Sequence, residues 1–119
     1  MAGIQIFGSK KCAQSRKAQR FLRERGIPFQ WIDLTQRSFS AGELDNILRV
    51  LGSVDVLLDP DKKEYCMIRY LTEQGQREKL LEDPSYCRTP ILRCGNRVAV
   101  GYDPVFLQAL VVQSREENL

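Results

Sequence analysis

Gly3-Ile4-Gln5-Ile6-Phe7-Gly8-Ser9-Lys10-Lys11-Cys12-Ala13-Gln14-Ser15-Arg16 is the stretch on which the fold turns. Its first five residues alternate β-branched and polar side chains and read as a short strand. Gly8-Ser9-Lys10-Lys11 follows as a turn-like break. Beyond it Ala18, Phe21 and Leu22 recur at helical spacing among basic residues, which predicts a helix over 13–25 with Gly26 as its stop. Pro28-Phe29-Gln30-Trp31-Ile32-Asp33-Leu34 alternates again and reads as a second strand. Strand, helix and strand at these lengths make a βαβ unit, hence a right-handed crossover and two parallel strands.

Downstream, Ser40-Ala41-Gly42-Glu43 has the form of a capping box, and Leu44, Ile47, Leu48 and Leu51 supply one apolar helical face before Gly52. Met67, Ile68 and Leu71 suggest a short helix, and Leu80 and Leu81 another, punctuated by Asp59-Pro60, Gly75 and Asp83-Pro84. Pro90-Ile91-Leu92-Arg93-Cys94 and Arg97-Val98-Ala99-Val100 flank Gly95-Asn96 as a β-hairpin. Asp103 caps a last helix, with Pro104 in its first position and Phe106, Leu107, Leu110 and Val111 on its buried face. Residues 115–119 read as a frayed tail. The order β-α-β, helices, β-hairpin, α describes an α/β protein with a mixed sheet. No linker divides it, so one domain over 1–119 is expected.

With 119 residues, 43% hydrophobic and 28% charged, the composition is that of an ordinary globular domain. A net charge of +3 is too mild to indicate nucleic acid, and direct nucleic-acid binding is not expected. The basic residues have a local excess over 10–25. Met1 to Phe7 does not read as a signal peptide and no apolar run is long enough to cross a membrane, so a reducing, cytoplasmic setting is expected. The four cysteines, Cys12, Cys66, Cys87 and Cys94, form no CxxC pair, and histidine is absent, so no metal site is expected.

Cys12 follows a strand and opens a helix. The unpaired N–H groups and positive dipole end of such a helix favour thiolate, and Lys10, Lys11 and Arg16 add positive charge. Against this stands the commoner fate of a lone cysteine, an inert thiol in the core. Thr89-Pro90 precedes a strand, where proline is either cis, offering the Thr89 backbone to a substrate, or an ordinary trans residue. Arg88 has the planar fork that suits an oxyanion or carboxylate, or is a solvated surface side chain.

Lys11-Cys12-Ala13-Gln14-Ser15-Arg16 resembles the Cys-x-x-Ser-Arg opening of glutaredoxin-coupled arsenate reductases, the ArsC-type family, and Arg88-Thr89-Pro90-Ile91 resembles their Arg-Pro-Ile stretch with one residue inserted. Thr89-Pro90 through Gly101-Tyr102-Asp103 is similar to the Thr-x-Pro to Gly-x-x-Asp stretch of glutaredoxins, and Val100-Gly101-Tyr102 to a Val-Gly-Tyr segment of Spx-type regulators. The resemblance spans nearly the whole chain. It implies a thioredoxin-like fold with a mixed four-stranded sheet and a helical insertion at about 40–84.

The resemblance also implies a nucleophilic Cys12 supported by Lys11, Ser15 and Arg16, with Arg88 holding an anion and Thr89, Pro90 and Asp103 holding glutathione as a co-substrate. No tightly bound cofactor is implied; the reductant would be glutathione or a glutaredoxin-like protein. Of the family's three oxyanion arginines only Arg88 is matched. Asp59 follows Ser53-Val54-Asp55-Val56-Leu57-Leu58 where a second belongs, and Val100 or Gly101 stands in place of the third. Losing two charge-assisted partners costs roughly 1.5–3 kcal/mol each in oxyanion binding. The expectation is therefore a glutathione-linked thiol oxidoreductase rather than arsenate reduction. Ser15 in place of a second thiol favours monothiol chemistry, with Cys87 either a candidate resolving thiol or, as the commoner case, a half-buried structural one, and no role read for Cys66 or Cys94. The alternative is an Spx-like, non-catalytic regulator that binds RNA polymerase, with Gly52 where such proteins carry a contact glycine.

Overall fold

A computed structural model describes residues 3–117. Met1, Ala2, Asn118 and Leu119 lie outside the described residues, and with them the first positions of the expected leaderless N-terminus and the end of the expected frayed tail. The contacts divide into two compact units, one running to Asp33 and resuming at Thr89, the other Leu34–Arg88.

The first unit holds a four-stranded mixed sheet in the order β2-β1-β3-β4, with β1 at Ile4–Gly8, β2 at Gln30–Asp33, β3 at Ile91–Cys94 and β4 at Arg97–Val100. β1 pairs parallel to β2 (Ile6 opposite Trp31) and antiparallel to β3 (Ile6 opposite Leu92), and β3 pairs antiparallel to β4. This is the expected thioredoxin-like sheet. Helix α1 (Ala13–Glu24) is the crossover and α5 (Pro104–Glu117) closes the unit. Ile4, Ile6 and Leu92 pack with Ala18 and Leu22 of α1 and Leu107, Leu110 and Val111 of α5. Leu22, Leu92 and Leu107 are fully buried, each worth about 1.5–3 kcal/mol relative to exposure.

Two elements show how local sequence sets these boundaries. α1 ends one residue earlier than its periodicity predicts, because Gly26 takes φ 68. Gly26 N–H then bonds the Arg23 carbonyl at 3.0 Å and Ile27 N–H the Leu22 carbonyl at 3.0 Å, which caps both carbonyls and brings Ile27 into the core. α5 does not fray at 115 but runs through Glu117. Arg97 of β4 donates to Gln113 Oε1 at 2.7 Å and Gln113 donates onward to Glu117 at 3.3 Å, so side chains hold the last turn. The other face of the sheet carries a polar ladder: Arg93 Nη1 donates to Gln5 Oε1 at 2.7 Å, and Gln5 Nε2 to Gln30 Oε1 at 3.0 Å.

The second unit is helical. α2 (Ala41–Leu51) begins with the expected capping box, in which Glu43 N–H bonds Ser40 Oγ at 3.1 Å and Ser40 N–H bonds Glu43 Oε1 at 2.9 Å. Arg37 adds a two-pronged contact to the same carboxylate at 2.8 Å. It ends at Gly52, φ 84. The middle of the chain resolves into a 3-10 turn at Val54–Leu57, the short α3 (Tyr65–Ile68), α4 (Glu73–Glu82) and a 3-10 turn at Pro84–Tyr86. The two 3-10 turns have no signature in hydrophobic spacing; hydroxyl and carboxylate caps start them, Ser53 Oγ accepting from Asp55 N–H and Asp83 Oδ1 from Ser85 N–H. Buried Leu44, Ile47, Leu57, Ile68 and Leu80 form its interior. Gln76, also buried, satisfies the end of α3 by donating to the Ile68 and Arg69 carbonyls at 3.3 Å.

Candidate active site

Cys12 is the N-cap of α1, with extended backbone (φ −87, ψ 116). Its N–H bonds the Ser9 carbonyl and its carbonyl accepts from Arg16 N–H, both at 3.1 Å. The side chain does not cap the helix and stays half-exposed. That frees Sγ, which as a thiol donates to the Thr89 carbonyl at 3.6 Å.

Thr89 precedes Pro90 through a cis peptide bond, so the cis alternative is the one present. Gly101 N–H bonds the Pro90 carbonyl at 2.7 Å. The strand-opening loop thus sits beside the start of α1, and Thr89 reaches the sulfur across the unit.

Burial alone would push the Cys12 thiol up. Hydrogen bonds from the Ser15 and Thr89 hydroxyls and from the backbone N–H groups of Ser15 and Gln14 outweigh it, and the thiol pKa lies below its ordinary value. These partners solvate the thiolate, and the N–H groups are those a helix N-terminus leaves unpaired. The expected help from Lys10, Lys11 and Arg16 has a different form. All three are exposed, and Arg16 turns its guanidinium onto the Lys10 carbonyl at 2.7 Å. Arg16 therefore shapes the loop, and the lowering comes from hydrogen bonds. Lys11 N–H bonds Ser9 Oγ at 3.1 Å, a further brace of that loop.

Ser15 is fully buried. Its hydroxyl accepts the Ser9 N–H at 3.3 Å while serving the Cys12 sulfur. Asp103 is the N-cap of α5, its Oδ1 accepting from Phe106 N–H at 3.0 Å. Two further residues were not singled out in the sequence. Gln14 Oε1 accepts from Tyr102 N–H at 3.3 Å, pinning the first turn of α1 to the segment before α5. Lys17 Nζ lies 5.5 Å from the Tyr102 ring centroid. The Gly101-Tyr102 pair carried a family signal; Gln14 carried none, because glutamine at a helix start is unremarkable in isolation.

The structure thus brings Cys12, Ser15 and Thr89 together, with Lys11, Arg16, Pro90 and Asp103 on the same unit. Arg88 and Cys87 belong to the helical unit. Arg88 is exposed and its Nε donates to the Leu58 carbonyl at 3.0 Å. Cys87 is buried and its thiol donates to the Arg88 carbonyl at 3.1 Å. Burial, with a smaller contribution from the Asp59 charge, pushes that thiol far up and holds it protonated, the opposite of what a resolving thiol needs. Burial likewise pushes the Cys94 thiol up, and Cys66 is exposed, donating to the Lys63 carbonyl at 3.2 Å.

Comparison with known proteins agrees with this architecture. The glutaredoxin family model matches residues 4–56. The chain is 26% identical over 105 residues to the global transcriptional regulator Spx 1 of Oceanobacillus iheyensis, covering 84% of this chain and 80% of that protein. Spx of Listeria innocua is 25% identical over the same coverage. Among solved structures, an arsenate reductase (ArsC) related protein from Brucella melitensis is 26% identical, with a TM-score of 0.62, covering 90% of this chain and 92% of that one. An arsenate reductase from Vibrio cholerae superposes with a TM-score of 0.79 at 23% identity, over 91% of this chain and 97% of that one.

Proposed function

Starting from a chain with the ArsC-type form of the thioredoxin/glutaredoxin-like fold and sequence relatives among the Spx regulators, we propose that it is a glutathione-linked thiol oxidoreductase with Cys12 as nucleophile. The observation that carries the reading is the sulfur at the start of α1, half-exposed, 3.6 Å from the Thr89 carbonyl and with its pKa below the ordinary value. A thiolate in that position can attack a disulfide sulfur.

In the proposed cycle Cys12 thiolate attacks the glutathionyl sulfur of a mixed disulfide. The Cys12–glutathione disulfide forms and the substrate leaves as a thiolate. A second glutathione thiolate attacks the glutathionyl sulfur, releasing oxidised glutathione and restoring Cys12 thiolate. One thiol on the protein suffices, which suits Ser15 in the position of a second cysteine. Thr89, Pro90 and Asp103 are assigned to glutathione and Arg88 to an anionic group of the substrate. Asp59 in place of a family arginine disfavours a doubly charged arsenate, and arsenate is not the proposed substrate. The cycle needs a supply of reduced glutathione, which a reducing compartment such as the cytoplasm provides.

The test is the alkylation rate of each thiol against pH, with sites read by mass spectrometry, followed by turnover of a glutathionylated peptide. Cys12 reacting first, with a midpoint well below about 8.5 for a free thiol, and turnover lost in Cys12→Ser are the expected results. An ordinary midpoint, or turnover that survives Cys12→Ser, overturns the reading.

The Spx relatives support a second reading, a regulator that binds RNA polymerase. It expects co-purification with polymerase that persists in Cys12→Ser. Substitution of Gly52, which follows α2 with φ 84, would abolish it.

A further inference from the structure

Gly8 closes β1 and is buried, a strand residue rather than the turn its sequence context suggests. Its own backbone conformation does not require glycine, since its φ is not among the positive ones. The requirement lies in the space beside its α-carbon. A Cβ placed there would collide with Ser15 Oγ, lie 2.9 Å from Ser15 Cβ and stand 3.1 Å from Trp31 Cη2. Real Cβ atoms do not approach neighbours as closely as the first two contacts demand, and rotating the hydroxyl away relieves only one of them. Ser15 is fully buried, and its hydroxyl already accepts the Ser9 N–H at 3.3 Å. The bare α-carbon of Gly8 is therefore one wall of the socket in which that hydroxyl sits.

We propose that Gly8 is a positioning residue for the reactive thiol: by lacking a side chain it seats Ser15 between the Ser9 amide and the Cys12 sulfur. Gly8 touches neither substrate nor sulfur and acts only through Ser15. The inference deepens the thiol oxidoreductase reading and rests on it. The socket is built from three successive features of the sequence. β1 ends in glycine, the next residue offers its amide, and the third residue of α1 points its hydroxyl back into the gap. A side chain at position 8 would force Ser15 out of the gap, the Ser9 amide would lose its acceptor, and the sulfur would lose a hydroxyl donor.

The experiment uses the full chain with Gly8→Ala, Ser15→Gly and the double variant. Ser15→Gly removes both colliding atoms. Two quantities are read: the pH dependence of Cys12 alkylation, and the NMR shift and exchange rate of the Ser9 amide proton, which follow the Ser15 hydroxyl whether or not Cys12 is redox-active. In Gly8→Ala the Cys12 midpoint is expected to rise, with about tenfold less thiolate at pH 7, the loss of one hydrogen bond to a charged group. Ser9 amide exchange is expected to accelerate. In the Ser15→Gly background, adding Gly8→Ala is expected to change neither quantity, because the two substitutions act through one contact. If Gly8→Ala alone does not fold while the double variant does, the collision is confirmed by that rescue. An unchanged Ser9 amide and Cys12 midpoint in folded Gly8→Ala overturns the proposal, as does a shift of the same size with Ser15 absent. A wild-type Cys12 that titrates as a free thiol overturns the oxidoreductase reading instead, and the Ser9 amide then decides the socket by itself.

Discussion

The Cys12 sulfur lies 3.6 Å from the carbonyl oxygen of Thr89, a residue 77 positions away in sequence. The contact gives the thiol form a hydrogen bond, while the Ser15 and Thr89 hydroxyls and the Ser15 and Gln14 amides favour the thiolate. Ser15→Ala removes one donor to the thiolate. The alkylation midpoint of Cys12 is expected to rise and its reactivity at pH 7 to fall about tenfold. Thr89→Val is expected to act in the same direction. Alkylation rates across pH 5–10 check both.

The capping box of α2 makes a pH prediction. Arg37, and the Ser40 N–H and hydroxyl, hold the Glu43 carboxyl at about 2 against the opposing effect of its burial. Its folded value is lower than the unfolded one, about 4.3. The stabilisation is complete above the unfolded value and is lost as pH falls from there through about 2. Urea unfolding between pH 7 and pH 2 is expected to show this loss in wild type and a flatter profile in Glu43→Gln. Ser40→Ala is expected to cost about 1 kcal/mol at pH 7.

Asp103 has a structural task and a proposed binding task that separate by substitution. Its Oδ1 caps α5 through the Phe106 N–H. Asparagine caps as well as aspartate, so Asp103→Asn is expected to keep stability within a few tenths of a kcal/mol while Asp103→Ala loses about 1 kcal/mol. If the charge also holds the glutathione amino group, Asp103→Asn raises KM for a glutathionylated peptide and leaves Tm unchanged. Equal KM values in wild type and Asp103→Asn would confine Asp103 to capping.

Cys87 is buried and held protonated. Under native conditions it is expected to resist alkylation while Cys12 and the exposed Cys66 are modified, and to react only in denaturant. Cys87→Ala is expected to leave turnover intact. A disulfide between Cys12 and Cys87 trapped from the folded protein would reverse this.

The strands and the larger helices were legible because their signals are local. Alternation in Gly3 to Phe7, the Ser40 to Glu43 box and Gly95-Asn96 each specify a conformation within a few residues. The turns at Val54–Leu57 and Pro84–Tyr86 were not legible, since their caps are single side-chain bonds that many sequences offer without using. The same holds at the site. Cys12 declared itself by standing between strand and helix. The roles of Gly8 and Gln14 depend on Ser15 and Tyr102 arriving from other elements, and no spacing rule encodes that meeting. Cys87 adjoins Arg88 in sequence, and adjacency does not separate a resolving thiol from a structural one; its burial does.

The ladder of Arg93, Gln5 and Gln30 spans three neighbouring strands at one level, each residue directly opposite the next. Alternation makes that arrangement intolerant of error. A slip of β1 by one residue against β3 would carry Gln5 to the side now filled by Ile4 and Ile6, leaving an amide among aliphatic side chains and Arg93 without its acceptor. The ladder thus acts as a proofreading device during assembly of the sheet, penalising mispaired strands more than it rewards the paired ones.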